Sequence, residues 1–293
     1  MITSPYVKPV TRLSSQDGAG EASPVIGPVS FTVDLEDHAP WASGPGRVVG
    51  LAMQLLDFFS ETGTMATFFI LDEVTRRAPG LVREIAARGH EIASHGYHHV
   101  RLEKLDPAGF IPGMVAARAR LEDLCGLAVG GFRAPFFSLA PETKWAVEGL
   151  LAAGFAYSSS VIPGPAWIGG WPGAPCQAFR WPGGLLELPV PVVGVAGRLL
   201  PVLGGMYLRA IPRRDLRRLW RRLTPAQTLW TYCHPYDIER GRITPIRGLG
   251  WGASLMLALN RGAMLPRWRE LAAAAAPPLG RRAETLAAAP FPG

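Results

Sequence analysis

The sequence predicts a single α/β domain built on a parallel sheet or an α/β barrel, on three observations. Apolar runs of strand length alternate with amphipathic helical stretches across short links. The chain has 293 residues and is 48% hydrophobic, enough to bury one large core. Asp34, His95, Arg133 and His234 all stand at the C-terminal ends of predicted strands, where such folds gather their functional residues.

Residues 1–27 are rich in Ser, Gly, Pro and Thr without periodicity and predict a loose tail. A buried strand over 29–33 follows and ends in the acidic cluster Asp34-Leu-Glu36-Asp37. Apolar residues at helical spacing predict a helix over 48–60, then a second buried strand over 66–71. A helix over 79–88 closes on Gly89, and a short third strand over 91–94 leads into His95. A helix over 107–125, a strand ending near Pro135, a helix over 141–153 capped by Gly154 and a strand over 155–157 continue the alternation.

Residues 162–210 break the pattern with dense Gly, Pro and Trp, and predict an insertion serving as a substrate lid. Its tryptophans, Trp181 among them, are candidates for stacking on sugar rings, or for packing the loop. A strand over 229–232 carries His234, and an Ala-rich tail from 271 is expected to fray after Pro277. The catalytic unit is thus expected over 28–270, flanked by tails at 1–27 and 271–293.

The formal net charge is +7, which suits an anionic partner. No nucleic-acid motif accompanies it, and no nucleic-acid partner is expected. Cys125, Cys176 and Cys233 are odd in number and widely spaced; they form neither a disulfide framework nor a metal cage, and read as reduced thiols. The N-terminus shows no basic region followed by an apolar stretch, and no uncharged apolar run reaches membrane-spanning length. A cytoplasmic location is expected, with peripheral contact at the inner face of a membrane as an extension.

The chemistry starts from the histidines. His95 and His99 are four residues apart, so one helical turn would set both imidazoles on one face, with Cβ atoms about 5–6 Å apart. Two imidazoles and one carboxylate are the ligand set of a catalytic zinc-type site. His98 points off that face. Glu36 lies on the same side of the strand as Asp34 by alternation, and Asp37 is the other carboxylate at hand.

Four segments stand in order: Thr32-Val-Asp34-Leu-Glu36-Asp37, Ser94-His95-Gly-Tyr-His-His99, Phe132-Arg133-Ala-Pro135-Phe136 and Cys233-His234-Pro235-Tyr236. In this order and spacing they resemble the polysaccharide deacetylases, the NodB-homology domain of carbohydrate esterase family 4. Ala66-Thr-Phe-Phe69, residues 81–92 and Leu186-Glu-Leu-Pro189 are similar to that family too, so the resemblance covers roughly residues 28–245. It is closest to the branch of exopolysaccharide gene clusters, whose first motif reads Val-Asp-Val-Glu-Asp.

The resemblance implies a distorted (β/α) barrel that uses a divalent metal, zinc first with cobalt, nickel or manganese as alternatives, to remove an N-acetyl group from an amino-sugar substrate. It implies Asp34 as general base, His95 and His99 as metal ligands, and Arg133 as the partner that orients Asp34. The third ligand is Glu36 or Asp37, with Asp37 preferred if the chain turns there. Pro135 would shape a turn aiming the Phe136 backbone N–H at the substrate carbonyl; Trp181, from the Trp-rich insertion, stands with them as a substrate-binding candidate. His234 would protonate the leaving amine.

One departure stands out: where the family has an Asp that sets the charge of the acid histidine, this chain has Ser158. Asp237 or Glu239 would have to replace it, or activity changes. The alternatives carried forward are a deformylase or other amide hydrolase acting on a lipid-linked sugar, and an inactive glycan-binding homologue.

The basic stretch holding Arg213 and Arg222 has one apolar stripe, Leu216, Leu219, Trp220 and Leu223. It reads as an outer helix with its stripe on the core, or as an interfacial helix on an anionic membrane. Trp251 and residues 253–259 predict a packed helix.

Overall fold

The computed structural model describes residues 26–37, 46–165, 170–239 and 259–292. In chain order the strands are β1 (Ser30–Leu35), β2 (Ala66–Ile70), β3 (Glu91–Ser94), β4 (Gly131–Phe132), β5 (Tyr157–Ser158), β6 (Phe179–Arg180), β7 (Leu186–Glu187), β8 (Val193–Val195), β9 (Arg198–Leu200), β10 (Trp230–Cys233) and β11 (Ala289–Pro290). The helices are α1 (Gly46–Thr62), α2 (Asp72–Arg77), α3 (Pro79–Ala87), α4 (Pro107–Cys125), α5 (Trp145–Ala152), α6 (Gly205–Ala210), α7 (Arg213–Trp220), α8 (Met264–Ala272) and α9 (Leu279–Thr285).

Nine strands form one sheet in the order β10-β1-β2-β3-β4-β5-β7-β6-β11. The seven strands from β10 to β7 pair in parallel, and β6 turns back antiparallel on β7. Among the described residues, hydrogen bonding between strands does not close the ring. Side chains bridge the seam instead: Trp230 Nε1 donates to the Pro189 carbonyl at 3.1 Å. The Gln227 amide brackets Val192, accepting its N–H and donating to its carbonyl, each at 3.2 Å. The result is a distorted barrel.

Alternation along the strands splits the core into two layers. Phe31, Val33 and Leu35 of β1 face the helices, where Phe31 meets Trp268 of α8 edge-on. Phe69, Ala93, Tyr157, Leu186, Leu188 and Trp230 pack together. They fill the interior with Thr32 and Asp34, the other parity of β1. Register then aligns the rim: Leu35 lies beside Ile70, Ile70 beside Ser94, Ser94 beside Phe132, Phe132 beside Ser158, and Ser158 beside Glu187.

The structure corrects two expectations of organisation. Residues 162–210 are not a lid laid over the domain, because β6 and β7 within them are strands of the main sheet. The Leu185-Leu-Glu-Leu run supplies the apolar residues that a buried strand needs. Nor is 271–293 a loose tail. Leu279 is fully buried, and the Gly280 N–H donates to Glu91 at 2.8 Å, so α9 closes the barrel base. Phe291 packs on Trp181 with ring centroids 4.5 Å apart.

The basic helix α7 buries Leu216 and Trp220, while Arg213 and Arg217 pair with Glu270 of α8, as an outer helix does. Among the described residues no helix is long and apolar enough to cross a membrane. Residues 1–25, Trp167, and 240–258 with Trp251 lie outside the described residues.

Candidate active site

Asp34 and Glu36 project from the C-terminal end of β1 into the barrel mouth. Arg133, immediately after β4, is fully buried and donates from Nη1 to Asp34 Oδ1 at 2.6 Å and to Thr32 Oγ1 at 2.8 Å. Its Nε and Nη2 donate to the Ser159 carbonyl and hydroxyl. The guanidinium lies 3.9 Å from the Phe69 ring centroid and 4.3 Å from that of Trp230. A charge this deep is tolerable only because every donor group points at a partner. Asp34 is held rigidly by the same contacts.

Glu36, His95 and His99 each offer a ligand atom, and these atoms lie within 4.8 Å of one another. Glu36 Oε2 contacts His99 Nε2 directly and lies 3.6 Å from His95 Nε2. The His95 Nδ1 faces the Arg133 carbonyl at 2.9 Å, which leaves Nε2 turned toward Glu36. His98 is exposed and meets Tyr97 edge-on.

Two details depart from the sequence expectation. The histidines are brought together by a turn, not a helix: Gly96 has φ +95°, a left-handed conformation that glycine adopts readily. The third member of the group is Glu36, not Asp37. Asp37 turns away and accepts from Arg47 Nη1 at 2.7 Å, because strand alternation continues one residue past β1. Arg47 also grips Glu239 through two nitrogens, at 2.8 and 2.6 Å, tying the end of β1 to the segment after His234.

His234 sits level with Asp34, since Val33 pairs with Cys233. Its Nε2 lies 3.4 Å from Glu36 Oε1 and 3.9 Å from Asp34 Oδ2. Pro235 starts a short 3-10 turn, Pro235–Asp237, which folds Asp237 back under the histidine. Asp237 Oδ2 accepts from the His234 N–H at 2.8 Å and lies 3.1 Å from Nδ1.

Burial opposes the positive charge on His234, but the hydrogen bond and charge of Asp237, helped by Glu36 and Asp34, outweigh it and raise its pKa to about 9. Asp237 is held below the usual carboxylate range: His234 and Arg209 outweigh the burial that pushes the other way. Of the two acids adjacent to His234 in sequence, Asp237 contacts its imidazole, while Glu239 is gripped by Arg47. The Ser158 hydroxyl itself donates to Ser160 at 2.9 Å.

Pro135 and Phe136 form part of the mouth. Phe136 and Phe137 both have positive φ, 59° and 49°, which costs side-chain-bearing residues on the order of 1–2 kcal/mol each. The strain sets the Phe136 ring against His99 at 4.5 Å and the Phe137 ring against Trp230.

Trp181 does not reach the mouth. It is 2% exposed, wedged among Trp171, Phe179 and Phe291, and its Nε1 donates to Glu187 at 3.3 Å. Trp171 and Trp181, read from the sequence as a sugar platform, are part of the hydrophobic core.

Glu187 and Arg209 had no role in the sequence reading. Glu187 is fully buried and accepts the N–H groups of Ser160 and Val161 at 2.7 and 3.0 Å, which fixes the chain just beyond β5. Burial raises its pKa against these donors. Arg209, also fully buried, pairs with Asp237. It lies 28 positions upstream of that partner, inside an Arg-rich stretch, and no spacing rule singles it out.

This combination, a parallel barrel with an Asp–Arg pair, a Glu-His-His group and a histidine at its mouth, agrees with the comparisons to known proteins. The profile described as Polysaccharide deacetylase matches residues 37–153, and one described as Domain of unknown function (DUF3473) matches residues 159–276. Over residues 37–153 the chain is similar to the polysaccharide deacetylases.

Over 96 residues it is 32% identical to a peptidoglycan-N-acetylglucosamine deacetylase of Bacillus cereus, covering 32% of this chain and 35% of the relative. It is 30% identical over 83 residues to a chitooligosaccharide deacetylase of Bradyrhizobium sp., covering 28% and 38%. The chain thus spans little more than a third of the length of these curated relatives. The crystal structure of a polysaccharide deacetylase homologue from Mycobacterium smegmatis superposes with a TM-score of 0.56 at 20% identity, covering 94% of this chain and 93% of that one; this likeness shows the fold.

Proposed function

We propose that this protein is a metal-dependent hydrolase that removes the N-acetyl group of an amino-sugar substrate. The observation that carries the reading is the convergence of Asp34, paired to buried Arg133, with the Glu36-His95-His99 group and His234 at one barrel mouth. Glu36, His95 and His99 would hold a divalent cation, and two imidazoles with one carboxylate favour zinc. The cation would supply Lewis acidity at the acyl oxygen.

The remaining work falls to the chain's own groups. Asp34 takes a proton from the attacking water; its orientation is fixed by Arg133. A C–O bond forms at the acyl carbon as the C–N bond breaks, and His234 delivers the Nε2 proton to the departing nitrogen. The products are acetate and the free amine. Against burial, the hydrogen bond and charge of Asp237 raise the pKa of His234, which favours the protonated state a general acid needs before it acts. The Phe136 backbone, held beside Pro135, would offer its N–H to the developing oxyanion.

The Asp237 contact with His234 favours an active enzyme over an inactive homologue, because a carboxylate partners the acid histidine where Ser158 supplies none. The test is acetate release from N-acetylglucosamine oligomers by zinc-loaded protein, with Asp34→Asn as control. Release abolished by that substitution supports the reading; zinc-loaded wild-type protein that releases no acetate from any such oligomer overturns it.

A further inference from the structure

We infer that Arg209 is a positioning residue for the reaction, holding Asp237 so that His234 presents its Nε2 to the leaving group. This rests on the proposed hydrolysis and assigns a task to a residue inside the domain of unknown function.

Arg209 is fully buried on α6, with Nη2 2.9 Å from Asp237 Oδ1. Asp237 Oδ2, the other oxygen of the same carboxylate, takes the His234 side. The three groups form one line, guanidinium to carboxylate to imidazole, with the imidazole at the reactive end. The carboxylate cannot rotate without breaking one of these contacts.

Arg209 is itself anchored twice. Nη1 donates to the Leu259 carbonyl at 2.6 Å, and the Asn260 side chain donates to the Arg209 carbonyl at 2.7 Å. Its place in the fold depends on two glycines. Gly204 bridges Tyr232 of β10, and a Cβ at Gly204 would fall 2.0 Å from the Tyr232 ring. Gly205 has φ +51° and the same neighbour. This close approach brings α6 against the strand that ends at His234. A buried arginine needs a reason: here it supplies the counter-charge that lets Asp237 sit buried beneath the histidine.

A residue acting on proton delivery should matter for a poor leaving group and not for a good one. An amine leaves only when protonated, whereas a phenolate leaves unaided. The experiment compares wild type, Arg209→Met, Asp237→Asn and the double variant on an N-acetylglucosamine oligomer and on an aryl acetate. Zinc content and thermal unfolding are measured alongside.

Arg209→Met is expected to lower kcat on the amide about 30-fold, with KM changed less than about 3-fold. Turnover of the aryl acetate should stay within about 3-fold, and zinc content should not change. Equal loss on both substrates, or no loss on either, overturns the inference.

The double variant buries no unpaired charge and keeps the test open if Arg209→Met does not fold. It should match Asp237→Asn on the amide within about 2-fold; a further large drop shows Arg209 acting independently and overturns the inference. Wild type inactive on the amide would instead overturn the hydrolase reading itself, so the two failures are distinguishable.

Discussion

The two halves of the barrel mouth are built differently. On one side, residues 26–153 supply Asp34, Glu36, His95, His99 and Arg133 at or just beyond the ends of β1, β3 and β4 of the parallel sheet. Register sets the strand ends, with Asp34 beside Phe69 and Ser94 beside Phe132, and the Gly96 turn carries His99 to them. On the other side, residues 159–276 supply His234, whose orientation depends on Asp237 in a following turn and on Arg209 in a separate helix. The first side sets donor atoms in place through the sheet; the second uses a chain of charges. Removing a group from the first should change what binds, and removing one from the second should change how the proton is delivered.

The largest expected break is at Asp34. Asp34→Asn should lower amide turnover by about 10³-fold, because the base is gone. It should also leave the Arg133 charge unpaired in the interior, costing roughly 3 kcal/mol of stability. Single-turnover rates and denaturant unfolding check the two separately. The comparison fails if the rate survives while stability falls, since Asp34 would then be structural only.

Next in size is the metal test, which contrasts the sides directly. His99→Ala should weaken zinc binding by more than about 100-fold, whereas Asp237→Asn should leave it within about 3-fold. Competition with a chelating dye reads both. If Asp237→Asn weakens zinc as much as His99→Ala does, the division between the sides is wrong.

The sequence made the first side legible and much of the second illegible, for physical reasons. Strand periodicity and turn glycines are local signals, so the sequence places β1, β2 and β3 to within a residue or two, with Asp34 at the end of β1 and His95 after β3. The choice of Asp37 over Glu36 failed where it assumed an early turn; the alternation of β1 continues far enough to send Asp37 outward to Arg47. An aromatic in a Gly/Pro-rich stretch signals equally a sugar platform and a packed residue, and only tertiary packing assigns Trp181 to the core. Arg209 was invisible because an ion pair spanning 28 residues leaves no periodic trace. Asp237 was readable as one of two acids near His234, but the choice between them needed the turn.

The halves should also respond to pH with opposite sign. His90, beneath the first side, is pushed down to about 4 by burial and by Arg88, and its Nδ1 accepts the Ala66 N–H. Its unfolded value is near 6.5, so the unfolded chain takes up the proton first. Stability is complete above pH 6.5 and is lost as pH falls toward 4, by roughly 2–3 kcal/mol. Glu187, in the second half, has a folded value raised by burial. Its contribution is present below the unfolded value and lost as pH rises through the folded one. Urea unfolding across the pH range should show His90→Gln flattening the loss of stability toward acid and Glu187→Gln flattening the loss as pH rises. Substitutions that flatten the same limb would break the contrast.

The smallest effect distinguishes the two carboxylates at the end of β1. Asp37→Asn removes one arm of the Arg47 contact, but Arg47 keeps both bonds to Glu239, so the stability cost should be about 1 kcal/mol or less. Zinc affinity should be unchanged, because Asp37 lies outside the group formed by Glu36, His95 and His99. Glu36→Gln should instead abolish zinc binding with little loss of fold. Calorimetric titration of the two variants decides the matter: zinc affinity lost in Asp37→Asn and kept in Glu36→Gln would exchange the two residues and shift the metal one position along the strand, away from Asp34 and His234.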